Sequence, residues 1–314
     1  MRPEASQRVP VGVKTPPIKL QGIKTKIVPT IRKHVAWATS GRWIEPFLGS
    51  GVVLFNLRPL RAIAADTNEH LIRFYQAVQT GELSPTLVRG FLEREGAQLS
   101  ATEGAHYYEV RTRFNELGSP LDFLFLNRAC FNGVMRFNKK GGFNVPFCKK
   151  PDRFAAAYIT KIVNQVAWVS QMMRGKAWEF VVADWRDSVA LATSEDFVYC
   201  DPPYNDRHTD YFTRWQSQDV DDLAQSLKLL DGGFAYSTWK GNKYRQNVHI
   251  AKHFAEYPTV CIKHFYHVGP TEALRNEMEE ALVVAPRFYI DERPMAHSIQ
   301  PIPEELALFD TSSI

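Results

Sequence analysis

Asp201, Pro202, Pro203 and Tyr204 follow an apolar run in the stretch VYCDPPYNDRH, residues 198–208. One reading is structural: proline fixes φ, and an acidic residue beside it commonly opens a loop, so the segment is a turn that ends a buried strand. The other is chemical. A carboxylate next to a rigidly held backbone carbonyl sets two acceptors side by side, and the tyrosine adds a flat face for stacking. A second stretch, WIEPFLGSGVVLF at residues 43–55, describes a short strand, a small-residue loop Gly49-Ser50-Gly51 and a helix whose first backbone N–H groups face a ligand. Val52 and Val53 stand where a nucleotide-triphosphate loop needs lysine and serine, and Leu54 stands where a dinucleotide fingerprint needs its third glycine. The following strand, RAIAAD, ends in Asp66, whose carboxylate can accept from two ribose hydroxyls, so an adenosine-containing ligand fits. Without that context, Gly-x-Gly is a plain tight turn.

The rest of the chain must position these groups. Its 314 residues are 45% hydrophobic and 12% aromatic, enough for a large core, and the net charge of +4 permits an anionic partner without requiring one. Apolar runs fall short of the roughly 20 residues of a membrane span, and MRPEASQRVP lacks a signal-peptide core, so an intracellular, cytoplasmic protein without membrane partners is expected. Cys130, Cys148, Cys200 and Cys261 lie far apart with no CxxC pair, which argues against disulfides and structural zinc. Seven runs read as strands: Arg42–Glu45, Arg61–Asp66, Phe180–Asp184, Phe197–Asp201, Phe234–Thr238, Val260–His267 and Ala281–Ala285. Their alternation with helical patterns predicts an α/β fold with a parallel or mixed sheet. Residues 76–161 interrupt it with helical patterns and a glycine-rich, basic, aromatic stretch, read as an inserted recognition unit, and residues 287–314 read as a tail.

EPFLGSG, then DTN after the second strand, then LNRACFNGVMRFNKKGGFNVPF, then DPPY: taken in this order, the chain resembles the Dam-type DNA adenine-N6 methyltransferases (D12 class, alpha group) over roughly residues 18–285. The resemblance implies a Rossmann-like, S-adenosylmethionine-dependent methyltransferase sheet with an inserted helical and β-hairpin DNA-recognition domain. A discontinuous catalytic domain would occupy residues 1–75 and 162–286, the recognition domain 76–161. The implied reaction moves a methyl group from S-adenosylmethionine to N6 of an adenine flipped out of duplex DNA, in a restriction-modification or Dam-like setting. That chemistry explains DPPY. The N6 lone pair is delocalised into the ring, so attack requires a more pyramidal nitrogen in line with the departing sulfur, and positioning supplies the catalysis. Asp201 would accept one N6–H and the Pro202 carbonyl the other, with Pro203 holding that carbonyl rigid and Tyr204 stacking on the base.

By the same resemblance, Asp at the first position accompanies adenine N6 methylation, Ser cytosine N4 methylation, and Asn protein glutamine or some RNA targets. No Pro-Cys pair is present for a cytosine C5 nucleophile. Cytosine-N4 or RNA adenine methylation, or a non-catalytic DNA-binding relative, are the competing readings. The cofactor set is Lys24, Glu45, Pro46, Phe47, Gly49, Ser50, Gly51, Asp66, Asp184 and Asp201. Lys24 sits in KLQGIKTK, where Ile23 replaces a family glycine and Leu20 an aromatic; it meets the methionine carboxylate, steadies the catalytic loop, or is a solvated charge. Asp184 is either the acid that holds the cofactor's adenine amine or a strand-end cap, and Phe47 a cofactor contact or a core residue.

Between Arg128 and Arg153 seven basic residues face one acid, interleaved with Phe131, Phe137, Phe143 and Phe147, a phosphate-binding footprint with stacking groups. Gly141-Gly142 suggests a hairpin tip able to enter a groove. The expected DNA contacts are Arg128, Phe131, Asn132, Val134, Arg136, Lys139, Lys140, Pro146 and Lys149. Phe131 matches a family aromatic that inserts into the base stack, and Arg136 is the best candidate to read a guanine edge. Ser237, Thr238 and Trp239 fall at a strand end near the cleft. His264 and His267 have no carboxylate or cysteine at ligand spacing, so no metal is expected. A cognate restriction endonuclease and, through the loosely matching EELALF, a bacterial sliding clamp complete the partners considered.

Overall fold

The structure is a computed structural model that describes residues 12–38, 40–138, 140–203, 215–242, 246–265 and 277–291. Seven strands, β1 (Trp43–Glu45), β2 (Arg61–Asp66), β3 (Ala177–Val182), β4 (Phe197–Cys200), β5 (Gly233–Asn242), β6 (Thr259–Phe265) and β7 (Glu277–Val284), form one sheet in the order β3-β2-β1-β4-β5-β7-β6. β7 runs antiparallel to both its neighbours and every other pairing is parallel. β1 and β4 are buried at every position because helices cover both faces there, whereas β3 at the edge buries alternate residues. Each expected strand is present. The third is shifted: it starts at Ala177 and stops at Val182, because Asp184 adopts an extended conformation and caps the next helix by accepting from the Arg186 N–H.

On one face lie α1 (Ile27–His34), α2 (Val52–Leu57), α3 (Glu69–Thr80) and α7 (Ala156–Met173); on the other lie α8 (Trp185–Ala190), α9 (Ser217–Lys228) and α10 (Val248–Phe254). Between α3 and α7 the chain adds α4 (Pro85–Ala101), α5 (His106–Leu117), α6 (Pro120–Ala129) and a hairpin. The unit boundaries expected at residues 76 and 161 fall inside α3 and α7. Gln76 and Gln79 donate to the carbonyls of Phe180 and Trp178, so the second half of α3, from residue 76 onward, is bonded to β3. α3 ends instead at Gly81, with φ 84°, and α7 begins at Ala156. Nor is the insert a separate body: Val88, Tyr107 and Phe123 share one continuous core with Phe55, Tyr75 and Phe180.

The expected tail also begins later than residue 287. Phe288 packs edge-on against Phe197 at 5.7 Å, Tyr289 stacks on His34, and the Ile290 N–H donates to the His34 carbonyl. EELALF lies outside the described residues.

Candidate active site

Strand order reverses between β1 and β4, and their carboxyl ends diverge into a crevice, the place where open α/β sheets bind ligands. A cavity of about 520 Å³ fills it. Glu45 ends β1, Asp201 follows β4, and both line this cavity with Pro202 and Pro203.

The small-residue loop is built by its glycines and by the end of β2. Gly51 opens α2 at φ 71°, and a Cβ there would sit 2.6 Å from the Phe55 ring, so glycine is required. The Leu48 N–H donates to the Ala65 carbonyl, and the Tyr75 hydroxyl to the Ser50 carbonyl at 2.6 Å. Asp66 is held from two sides: Gly49 N–H donates to Oδ2 (3.0 Å) and Asn68 N–H to Oδ1 (2.9 Å). Each oxygen keeps lone-pair capacity toward the cavity. Burial raises the Asp66 carboxyl above its usual range, and these two N–H groups oppose the shift.

Asp201 is positioned from three elements. Its Oδ1 accepts from Lys24 Nζ at 3.0 Å and from Ser237 Oγ, on β5, at 2.9 Å. Ser237 is fully buried and also meets the Tyr199 hydroxyl at 3.0 Å. Lys24, itself buried, donates to the Gly22 carbonyl and lies 4.0 Å from Glu280 on β7. Burial alone would lower the Lys24 ammonium, but the charges of Asp201 and Glu280 outweigh it and hold the amine above its ordinary value. For Asp201, burial raises the carboxyl and Lys24 pulls it back toward ionisation. Of the alternatives for Lys24, the structure brings it onto Asp201 and removes it from solvent.

Glu45 is the most buried acid of the site. Trp43 Nε1 donates to it at 2.8 Å, yet burial, reinforced by the charge of Asp201, pushes it up to about 8. A carboxyl raised in the fold from an unfolded value of 4.5 favours the folded state when protonated, and that contribution is lost as pH rises through about 8. Glu45→Gln should therefore melt above the native protein, with a gap that opens between pH 4.5 and 8 and reaches at least about 1 kcal/mol. Thermal melts at both ends of that range check this; a gap independent of pH means that Glu45 is not the titrating group.

The side walls are aromatic and acidic. Phe47 meets Trp215 edge-on at 5.5 Å, and both line the cavity. Asp184 lies in the same wall as the N-cap of α8, while Arg186, stacked over Trp185, bridges Asp219 and Asp222 of α9. Met135 and Phe137 of the insert reach the cavity as well, and Phe137 stacks on His70 of α3 at 5.4 Å.

The insert forms the expected hairpin, with Phe137 paired to Phe143 and Gly141 at φ 81° near the tip. Arg136 Nε donates to Asn144 Oδ1 at 2.9 Å. Phe131 projects outward at 53% exposure from a 3-10 turn (Phe131–Gly133), beside the exposed Asn132. Pro146, Lys140 and Lys149 are exposed and Val134 is half-buried. Three readings need correction. Arg128 is 2% exposed, donates to the Pro17 carbonyl and Gln165, and packs over the Tyr158 ring, so it holds the insert together and presents nothing to DNA. Phe143 and Phe147 are core residues, not stacking groups, since the hairpin folds them inward onto Phe114 and Tyr107. Tyr204, Lys139 and His267 lie outside the described residues.

Ser237 was expected near the cleft, but its bond to Asp201 was not foreseen, and Glu280, Met135, Phe137 and Trp215 were missed as cavity or charge partners. Glu280 did leave a signal: an acid directly before the apolar run ALVV must either face solvent or meet a buried cation.

A family model described as D12 class N6 adenine-specific DNA methyltransferase matches residues 21–272. A DNA adenine methylase of Serratia marcescens is 32% identical over 228 residues, 68% of this chain and 78% of its own length. The Type II methyltransferase M.MjaIII of Methanocaldococcus jannaschii is 32% identical over 242 residues, 69% of this chain and 80% of that protein. Among solved structures, an rRNA methyltransferase of Streptomyces viridochromogenes aligns over 78% of this chain and 76% of its own with 16% identity and a TM-score of 0.32.

Proposed function

The chain belongs to the D12 class of N6 adenine-specific DNA methyltransferases, and from that premise we propose that its crevice holds S-adenosylmethionine beside an adenine turned out of the duplex. The observation that carries this reading is the placement of Asp201. Lys24 and Ser237 both occupy Oδ1, which fixes the carboxylate and leaves Oδ2 to accept one N6–H of the base. The Pro202 carbonyl accepts the other, and Tyr204 stacks on the ring. Acceptors on both N–H bonds raise the electron density on the nitrogen and favour its pyramidal form, which localises the lone pair for attack. When bound, S-adenosylmethionine supplies an electrophilic methyl on a sulfonium sulfur, with no metal required.

The residues present fit that cofactor. The cavity is of the size that ordinary small-molecule sites have. At one end Asp66, pre-oriented by two backbone N–H groups, would accept from the ribose hydroxyls, while Phe47 and Asp184 in the same cavity would hold the adenine ring and its amine. Gly49, Ser50 and Gly51 let the backbone approach the ligand, with Glu45 and Pro46 forming the floor. Asp66→Ala should weaken S-adenosylmethionine binding by about 1 to 3 kcal/mol through the lost hydrogen bonds. Calorimetric titration reads this directly, and an unchanged affinity removes Asp66 from the site.

DNA approaches from the hairpin side. Phe131 enters the base stack, Arg136 reads a base edge, Lys139, Lys140 and Lys149 neutralise phosphates, and Asn132, Val134 and Pro146 shape the contact. The named Type II methyltransferase among the relatives supports a partner endonuclease, EELALF supports a clamp contact, and work on cellular DNA supports a cytoplasmic setting; no helix among the described residues is long and apolar enough to cross a membrane. The test is to incubate the purified protein with S-adenosylmethionine and mixed-sequence duplex DNA, digest to nucleosides and identify the product by mass spectrometry. N6-methyladenine is expected. N4-methylcytosine, or no product while the cofactor binds, overturns the assignment.

A further inference from the structure

Away from the crevice, α9 and α10 face each other through a cluster that methyl transfer does not use. His249 and His253 stand one turn apart on α10, so their rings lie on the same face, parallel within 7° at 6.2 Å. Across from them is Asp221 of α9. His253 Nε2 lies 2.6 Å and His249 Nδ1 3.3 Å from the same oxygen, Asp221 Oδ1. His249 Nδ1 is buried and has no hydrogen bond among the described residues. Lys252 Nζ donates to the other oxygen, Oδ2, at 2.7 Å.

The geometry points to a divalent transition-metal site formed by His249, His253 and Asp221 that fastens α9 to α10. Three donor atoms within 4.8 Å of one another match ligands that sit about 2.1 Å from a common ion and therefore about 3 Å apart. Two imidazoles and one carboxylate select zinc, cobalt or nickel; magnesium and calcium take oxygen sets instead. Binding exchanges the proton held between His253 and Asp221 for the ion, and it gives His249 Nδ1, which approaches Asp221 without a hydrogen bond, a bonded partner. Lys252 then serves as an outer-shell donor, orienting the carboxylate so that Oδ1 points at the metal. The three side chains are 10 to 22% exposed, which leaves an entry path and room for water in the remaining coordination positions. Neither histidine nor Asp221 lines the crevice. The sequence signal is HIAKH, two histidines four apart, and it was not visible as a site because its third ligand comes from another helix.

Untagged protein, stripped with chelator, would be titrated with cobalt(II) and followed by visible absorption, then challenged with zinc and with a large excess of magnesium. One equivalent of cobalt should bind with d–d bands, zinc should displace it and magnesium should not. His249→Ala and His253→Ala should each weaken cobalt binding by at least about tenfold and cancel any zinc-induced rise in melting temperature. Their metal-free circular dichroism and methyl transfer should match the metal-free native protein, which separates loss of the site from loss of the fold. Absence of saturable cobalt binding in the native protein, or unchanged binding in the His249→Ala/His253→Ala double variant, overturns the proposal.

Discussion

Asp201→Ala should lower methyl transfer by about 10³-fold or more while DNA binding stays close to native. The expected loss of rate is that of a group that interacts with the transition state. Asp201 is held by Lys24 and Ser237 at one oxygen, so its orientation is fixed before substrate arrives, and no reorganisation is needed at the moment of transfer. The hairpin residues proposed to contact phosphates lie away from Asp201, which is why the duplex should still bind. Single-turnover transfer and a DNA-binding isotherm on the same variant make the comparison. Near-native turnover would remove Asp201 from the reaction, and equal losses in binding and turnover would make it a structural residue.

Lys24→Met should produce the second large effect, in two readouts. Removing the cation leaves Asp201, and Glu280 at 4.0 Å from it, without their shared counter-charge, and breaking a buried pair in this way costs about 3 to 5 kcal/mol of stability. The pH profile should move as well. Burial raises the Asp201 carboxyl and Lys24 opposes that rise, so its loss lifts the carboxyl further. Since transfer needs the ionised form, the acid limb of kcat against pH should shift to higher pH. An acid limb at the native position, with stability alone reduced, would assign Lys24 a purely structural role. Lys24→Arg keeps the charge and should restore the limb toward its native pH.

Much of the fold was legible because local pattern and global position agree. The run that forms β4, FVYC, is continuously apolar, as a strand buried on both faces must be, and the helical patterns between the strands announce crossovers. What escaped depends on which way a side chain faces. The segment from Arg128 to Arg153 reads as uniformly basic and aromatic, yet Arg128 and Phe143 turn inward while Phe131 and Lys140 turn outward. A hairpin entered through a 3-10 turn has no period from which to infer that. The DPPY and glycine-loop residues could be found individually, whereas the links among Lys24, Ser237, Glu280 and Asp201 join four strands and loops distant in sequence. Gln76 and Gln79 show the same limit: their side chains bind β3, so a boundary placed by composition cut through a helix that packing keeps whole.

The stacking of Phe137 on His70 ties the hairpin to α3, whose N-cap Asn68 also donates its N–H to Asp66 in the crevice. On the proposed DNA contact, a duplex that seats the hairpin badly would act on the very helix that shapes the pocket. Discrimination between sequences would then be expressed less in residence on DNA than in commitment to chemistry: a wrong site is held, and then released unmodified. Comparing dissociation constants with single-turnover rates across near-cognate duplexes would show the rates diverging by more than the affinities.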